Sequence, residues 1–239
     1  MTGPALDRAT PGFQRLLMIR FLAVTAVALT FPTAAFAERD ESIWTNVTIM
    51  GNAGKAAYFV EVQPRIGNGA SSLQTVLYRA GLGTQLASNL TVYAGFAHIQ
   101  NSAENKPGSN EERLFGQLSW TIGKIGGGTL SSRTRLEHRR SSIGGDTGWR
   151  LRDMIRYVHP IARAQDPRLL VWAEPFVAFN DTDWGARKGF DQLRSFAGFE
   201  IPLPGKSTLE AGYMNQRTNL TGGRIKSNHI ASLTFFIRP

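Results

Sequence analysis

From about residue 42 to the C-terminus, apolar and polar positions alternate in runs of about 9–12 residues, broken by Gly, Asn, Asp and Pro. Successive side chains of a strand point to opposite faces, so a period of two predicts strands separated by turns. No apolar stripe at i, i+3 and i+4 with caps is sustained, so helices are not expected. The pattern predicts strands over 42–51, 55–65, 72–83, 88–100, 112–122, 128–139, 148–158, 168–179, 189–202, 206–216 and 227–237. Turn sequences such as Gly51-Asn52-Ala53-Gly54, Gly126-Gly127-Gly128 and Pro202-Leu203-Pro204-Gly205 separate them. No linker or composition shift marks a second domain.

Strand length and loop asymmetry separate two architectures. Strands of soluble proteins average five or six residues, whereas a tilted strand needs ~9–11 to cross a bilayer. The segments around 101–111, 140–147, 180–188 and 217–226 read as long polar loops, and 123–127 and 203–205 as tight turns, with 159–167 an exception. The two faces also differ in chemistry. Arg150, Arg152 and Arg156 share one face of their strand, with Trp149, Leu151, Ile155 and Tyr157 on the other. Arg133, Arg135, Glu137 and Arg139 oppose Leu130, Thr134 and Leu136; Gln192, Arg194 and Glu200 oppose Leu193, Ala197, Phe199 and Ile201. Glu210 and Gln216 oppose Leu209, Ala211 and Tyr213; Asn228, Ser232 and Thr234 oppose Ala231, Leu233, Phe235 and Ile237. In a barrel such charged faces line the lumen and the apolar faces meet lipid. Trp44, Trp120, Trp149, Tyr157 and Tyr213 near strand ends fit an interfacial girdle. Asp153 breaks the pattern by sharing an apolar face. The expected fold is therefore all-β, an antiparallel up-and-down transmembrane barrel. Termini on one side of a membrane require an even number of strands. The eleven segments are accordingly read as about twelve strands, with ten as the alternative.

The first residues change the picture of where such a barrel resides. Phe21–Ala37 is apolar, follows Arg15 and Arg20, contains Pro32, and ends in Ala35-Phe36-Ala37. That is the form of a secretory signal peptide over 1–37, leaving a barrel domain over 38–239. Met18 is an alternative start that would give a more compact leader. The chain has formal charge +9, of which +7 belongs to residues 38–239, mostly as dispersed arginine. An exported chain with dispersed cations argues against nucleic acid. The absence of Cys excludes disulfides, thiol nucleophiles and Cys-ligated metals.

Several strings then resemble one family. Arg135-Leu136-Glu137-His138-Arg139, Arg150-Leu151-Arg152, Glu174-Pro175-Phe176-Val177-Ala178-Phe179-Asn180, Phe190-Asp191-Gln192-Leu193-Arg194 and Gly212-Tyr213-Met214-Asn215-Gln216 occur in that order. With Trp44 and Glu61-Val62-Gln63-Pro64-Arg65, they resemble an uncharacterised DUF family of outer-membrane β-barrel proteins of Gram-negative bacteria. The resemblance covers most of 42–237 and implies a small barrel without an assigned activity or ligand. A chain ending Phe235-Phe236-Ile237-Arg238-Pro239 departs from the terminal aromatic residue of many such proteins.

The candidate chemistry is a charge network in the lumen: Glu61, Arg65, Arg135, Glu137, Arg139, Arg150, Arg152, Glu174, Arg194, Glu200 and Glu210. Guanidinium forks suit carboxylates and phosphates, so the set reads as an anion-preferring channel or a small-solute binder. Alternatively, paired charges simply fill a barrel too narrow to conduct. A lipid-modifying enzyme built on His229 with Ser227 or Ser232 is a further alternative, although no G-x-S-x-G motif is present. A soluble periplasmic β-sandwich or lipocalin-like carrier is another. Asp181 and Asp183 read as solvating a mobile loop. No cofactor or metal motif is found. The expected partners are outer-membrane lipid, the barrel-assembly machinery during insertion and an unidentified small solute, with localisation in the cell outer membrane.

Overall fold

All eleven alternating segments form strands in the computed structural model of the chain, which describes residues 37–239 apart from 104–105, 164 and 221–222. They are β1 (Ala37–Ala53), β2 (Ala56–Gly67), β3 (Ser72–Ala87), β4 (Leu90–Ala103), β5 (Lys106–Ile125) and β6 (Gly128–Ser141). The series continues with β7 (Thr147–Pro160), β8 (Arg168–Ala178), β9 (Gly189–Pro202), β10 (Thr208–Asn219) and β11 (Ile225–Ile237). The expected signal peptide lies, apart from Ala37, outside the described residues.

Each strand pairs antiparallel with its neighbour in sequence, and the sheet closes into a barrel where β1 pairs with β11. That closing pair is parallel, with Trp44 opposite Ser232 and Ile49 opposite Ile237. Among the described residues the barrel has eleven strands, within the expected ten to twelve, and the odd number is accommodated by one parallel seam. The two ends of the barrel chain consequently emerge at opposite rims, not at the same one. The β-sandwich alternative is excluded because the sheet has no open edge.

The start of β1 lies at the rim formed by the connections 68–71, 142–146, 179–188 and 220–224; Ala70 N–H donates to the Glu41 carbonyl there. The other rim carries the two-residue turns at 54–55, 88–89 and 126–127, with 161–167 and 203–207. Gly126 and Gly127 both have positive φ (54° and 85°), as the twist of a two-residue hairpin demands. The expected long loop at 101–111 is mostly ladder instead, because Ala103 already pairs with Lys106.

The core lies inside the barrel. One apolar cluster packs Trp44, Val158, Leu170, Phe196, Met214 and Ile230, and another packs Phe59, Tyr93 and Phe115 with Ala57. Inward glycines make room for these rings. A Cβ at Gly81 would sit 2.4 Å from Phe59, and one at Gly95 would sit 2.3 Å from both Phe115 and the Ala80 carbonyl. Large side chains meeting hydrogen-only positions are how a narrow barrel packs its interior.

Outside, apolar residues from around the barrel are exposed: Val47 and Ile49 on β1, Val60 on β2, Leu82 on β3, Phe96 on β4 and Leu114 on β5. Leu136, Trp149, Val171, Phe199, Tyr213 and Phe235 continue the belt over β6–β11. Trp149 and Tyr213 face outward as the girdle reading expects, whereas Trp44 does not. It is buried in the lumen at 6% exposure. Asp153 does lie on the outer face. Its Oδ1 accepts hydrogen bonds from Ser132 Oγ (2.9 Å) and Thr134 Oγ1 (2.8 Å), so two neighbouring hydroxyls satisfy the misplaced carboxylate.

Candidate functional site: the charged lumen

Alternation on each strand brings the polar faces of β2–β10 together inside the closed sheet. The largest ion network runs from Arg139 to Glu111, which also holds Arg113 at 2.8 Å. Arg113 approaches Glu137, whose carboxylate takes Arg150 at 2.7 Å and Arg152 at 3.4 Å. Arg152 continues to Glu174 at 2.9 Å, and Glu174 also accepts from Arg133 at 3.1 Å. Glu137 and Glu174 are 1% and 2% exposed. Such charges are stable out of bulk water only when they are paired and hydrogen-bonded.

Two further groups complete the set. Glu61 pairs with Arg79 at 2.8 Å. Glu200 and Glu210 are directly opposite each other on β9 and β10, a placement that is repulsive alone. Arg156 Nη2 binds both carboxylates, and Arg168 binds Glu200 at 2.9 Å. Arg113 and Arg139 are likewise opposite on β5 and β6, with Glu111 accepting from both.

Three predicted arginines are different. Arg65 donates to Gln63 Oε1 (2.7 Å), Arg135 to Gln117 Oε1 (2.9 Å), and Arg194 to Gln216 Oε1 (3.2 Å). Among the described residues none of the three has a carboxylate within ion-pair distance. Aromatic faces take that place. Arg65 and Arg194 lie 3.9 and 5.0 Å from the Trp44 ring centroid, and Arg135 lies 4.5 Å from that of Phe115. Phe176, fully buried, has Arg150, Arg152 and Arg194 each within 5.0 Å of its centroid. A ring quadrupole attracts a cation without neutralising it. The lumen therefore holds more arginine charge than its carboxylates offset.

Two cavities open within it. The one toward the short-turn rim measures about 530 Å³, and the one toward the longer connections about 360 Å³. Arg65, Arg152 and Arg194 line both, forming a sill where the two adjoin.

All eleven predicted residues thus lie on the inner wall, although they divide among separate ion groups. Arg79, Glu111, Arg113, Arg133, Arg156, Arg168 and Asp191 belong to the same groups and are not in the predicted set. Arg133 and Arg156 were legible by parity, since they share faces with members of the set. Asp191 was not. A β-bulge between β8 and β9 skips it in the pairing, and its carboxylate reaches Arg150 at 3.0 Å.

The catalytic alternative on His229 finds no nucleophile in place. His229 Nδ1 faces the Tyr213 hydroxyl at 2.6 Å on the outer surface. Ser227 Oγ instead accepts from Asn215, and Ser232 lines the lumen on the opposite face of the strand. Asp181 and Asp183 do not simply solvate a loose loop. Asp183 accepts backbone N–H groups from Gly145 (2.8 Å) and Asp146 (3.2 Å), and Asp146 Oδ2 accepts from the Asp183 N–H. These backbone donors hold the exposed Asp183 carboxyl below its ordinary pKa. Among the described residues no group of three or more His and carboxylate side chains could hold a metal ion.

Fold and lumen define a small closed β-barrel with a charged interior. Residues 41–227 match the family described as a protein of unknown function, DUF2490, and the chain belongs to that family. It is similar to an uncharacterized protein of Methylorubrum extorquens strain AM1, with 43% identity over 201 residues, covering 84% of this chain and 88% of that one. No solved structure matches.

Proposed function

We propose that this chain is an outer-membrane barrel of transport type that admits small anions through a narrow, arginine-lined lumen. The observation that carries the reading is the inversion of sides: an apolar belt faces outward from around the barrel, while ionised side chains are held inside. A soluble monomer rarely exposes so extended an apolar surface. Strands of 11–20 residues meet the ~9–11 needed for a tilted crossing. Trp149 packs at a tilt against His138 toward the rim of longer connections, while Tyr157 stacks with His159 toward the other. Such amphipathic rings suit the two interfaces of a bilayer. The apolar leader ending at Ala37 supports export.

Anion preference rests on the sill. Any solute passing between the two cavities meets Arg65, Arg152 and Arg194, and only Arg152 of these is held by carboxylates. The test is the reversal potential of the purified protein in a planar bilayer under a KCl gradient. The account expects anion selectivity, reduced by the double variant Arg65→Gln/Arg194→Gln. Cation preference, or a bilayer that stays insulating, would contradict it.

A further inference from the structure

The two cavities differ in chemistry, and the difference names a ligand class for one of them. The smaller cavity is walled mainly by charged and amide side chains, with Ile143 and Trp184 as its large apolar members. The larger one combines arginines with Trp44, Trp172, Tyr93 and Met214, and is bordered at its mouth by Ser88 and Asn89 of a tight turn. Its size falls within the ~300–1,000 Å³ of small-molecule sites. Trp172 lies parallel to Phe196 at 5.3 Å, which fixes the plane of its ring in the wall.

At the floor of this cavity, donors remain unused. Arg65 gives Nε and Nη2 to Gln63, leaving Nη1 without an acceptor among the described residues. Arg194 gives Nε to Gln216, leaving both of its terminal nitrogens. Both guanidinium groups are held in place by those amides and by the Trp44 ring, so little ordering remains for a ligand to induce. Glu174 is the register neighbour of Arg194 on β8, but its carboxylate is turned to Arg152 and Arg133, while Glu200 and Glu210 are occupied by Arg156. Free donors thus converge at the floor, while apolar rings line the space above.

We infer that this cavity is a binding site for an organic carboxylate with an apolar or aromatic body, its carboxylate held between Arg65 and Arg194. The inference rests on the anion reading above and narrows it, since a hydrophilic anion gains nothing from the Trp44, Trp172 and Met214 surface. Ligand orientation follows: the charged end is deepest, at the sill, and the body points to the short-turn rim.

Titration calorimetry on the folded barrel in detergent tests this with benzoate, benzamide and inorganic phosphate as probes. Benzoate is expected to bind, benzamide and phosphate far more weakly, and either Arg65→Gln or Arg194→Gln to weaken benzoate at least about tenfold. Should a variant fail to fold, the wild-type protein supplies the second measurement. Nitrobenzoate should quench its tryptophan fluorescence, and benzoate but not phosphate should relieve the quench. Equal binding of benzamide and benzoate would overturn the inference. Phosphate binding without benzoate binding would overturn it while leaving an anion-admitting lumen intact. Binding of none of the three would overturn both.

Discussion

Asp191 Oδ2 lies 3.0 Å from Arg150 Nη1, although Asp191 has the wrong parity for the inner face of β9. Phe176 pairs with Gln192 and Val177 with Phe190, so Asp191 is the extra residue of a bulge that turns its side chain into the lumen. Arg150 is thereby gripped from two sides, by Glu137 on β6 and Asp191 on β9, and ties three strands together. Asp191→Asn keeps the shape and removes the charge. The expected loss is about 1 kcal/mol, because Glu137 still holds Arg150. Urea unfolding of the barrel in micelles measures it.

Glu137 is the more demanding position. It is 1% exposed and faces Arg113, Arg150 and Arg152 together. Glu137→Gln leaves buried cations without their counter-charge, at an expected cost of ~3–5 kcal/mol. The same urea experiment should rank it well above Asp191→Asn. A smaller effect for Glu137→Gln would mean that lumenal water, not the carboxylate, satisfies those arginines.

Gly198 and Gly212 face each other across β9 and β10, with the Phe196 ring packed over both. A Cβ at Gly212 would lie 2.4 Å from the Ala197 carbonyl and 2.6 Å from Gly198 Cα. Gly212→Ala should destabilise the barrel by about 1–3 kcal/mol, as overpacking does. Gly116 is the internal comparison, because nothing lies within 4 Å of a Cβ there. Gly116→Ala should leave the midpoint of thermal unfolding unchanged or slightly raised.

Asp183 joins the 179–188 connection to 142–146 through the Gly145 and Asp146 N–H groups. Its pKa is lowered in the folded protein, so its contribution is complete above the unfolded pKa and is lost as pH falls through the folded value. Limited proteolysis of these connections should be unaffected by pH near neutrality and accelerate only in strong acid, using an acid-active protease there. Asp183→Asn should be cleaved faster at neutral pH.

The alternation of faces was legible because one period of two ran through every strand. Arg135, Glu137, Arg150 and Arg152 could be placed inside by parity alone. Parity fails where the backbone departs from it, and the bulge at Asp191 left no mark in the hydropathy pattern. Glu111 was hidden for another reason, since the polar stretch 101–111 read as loop while the ladder runs through most of it. The parallel β1–β11 seam joins segments from opposite ends of the barrel chain, and no local signal encodes it. Trp44 was read as an interfacial ring because it is aromatic and near a strand start. Its register opposite Arg65 makes it a lumenal platform for a cation instead.

The central claim is that this barrel lives in a membrane with its charges inside. The most direct measurement is membrane fractionation of the expressed protein, followed by electrophoresis with and without boiling. A closed sheet pairs its backbone groups around the ring and resists detergent until heated. The account predicts an outer-membrane protein whose unboiled form migrates faster than its boiled form. Recovery as a soluble protein with no heat-dependent shift would contradict it.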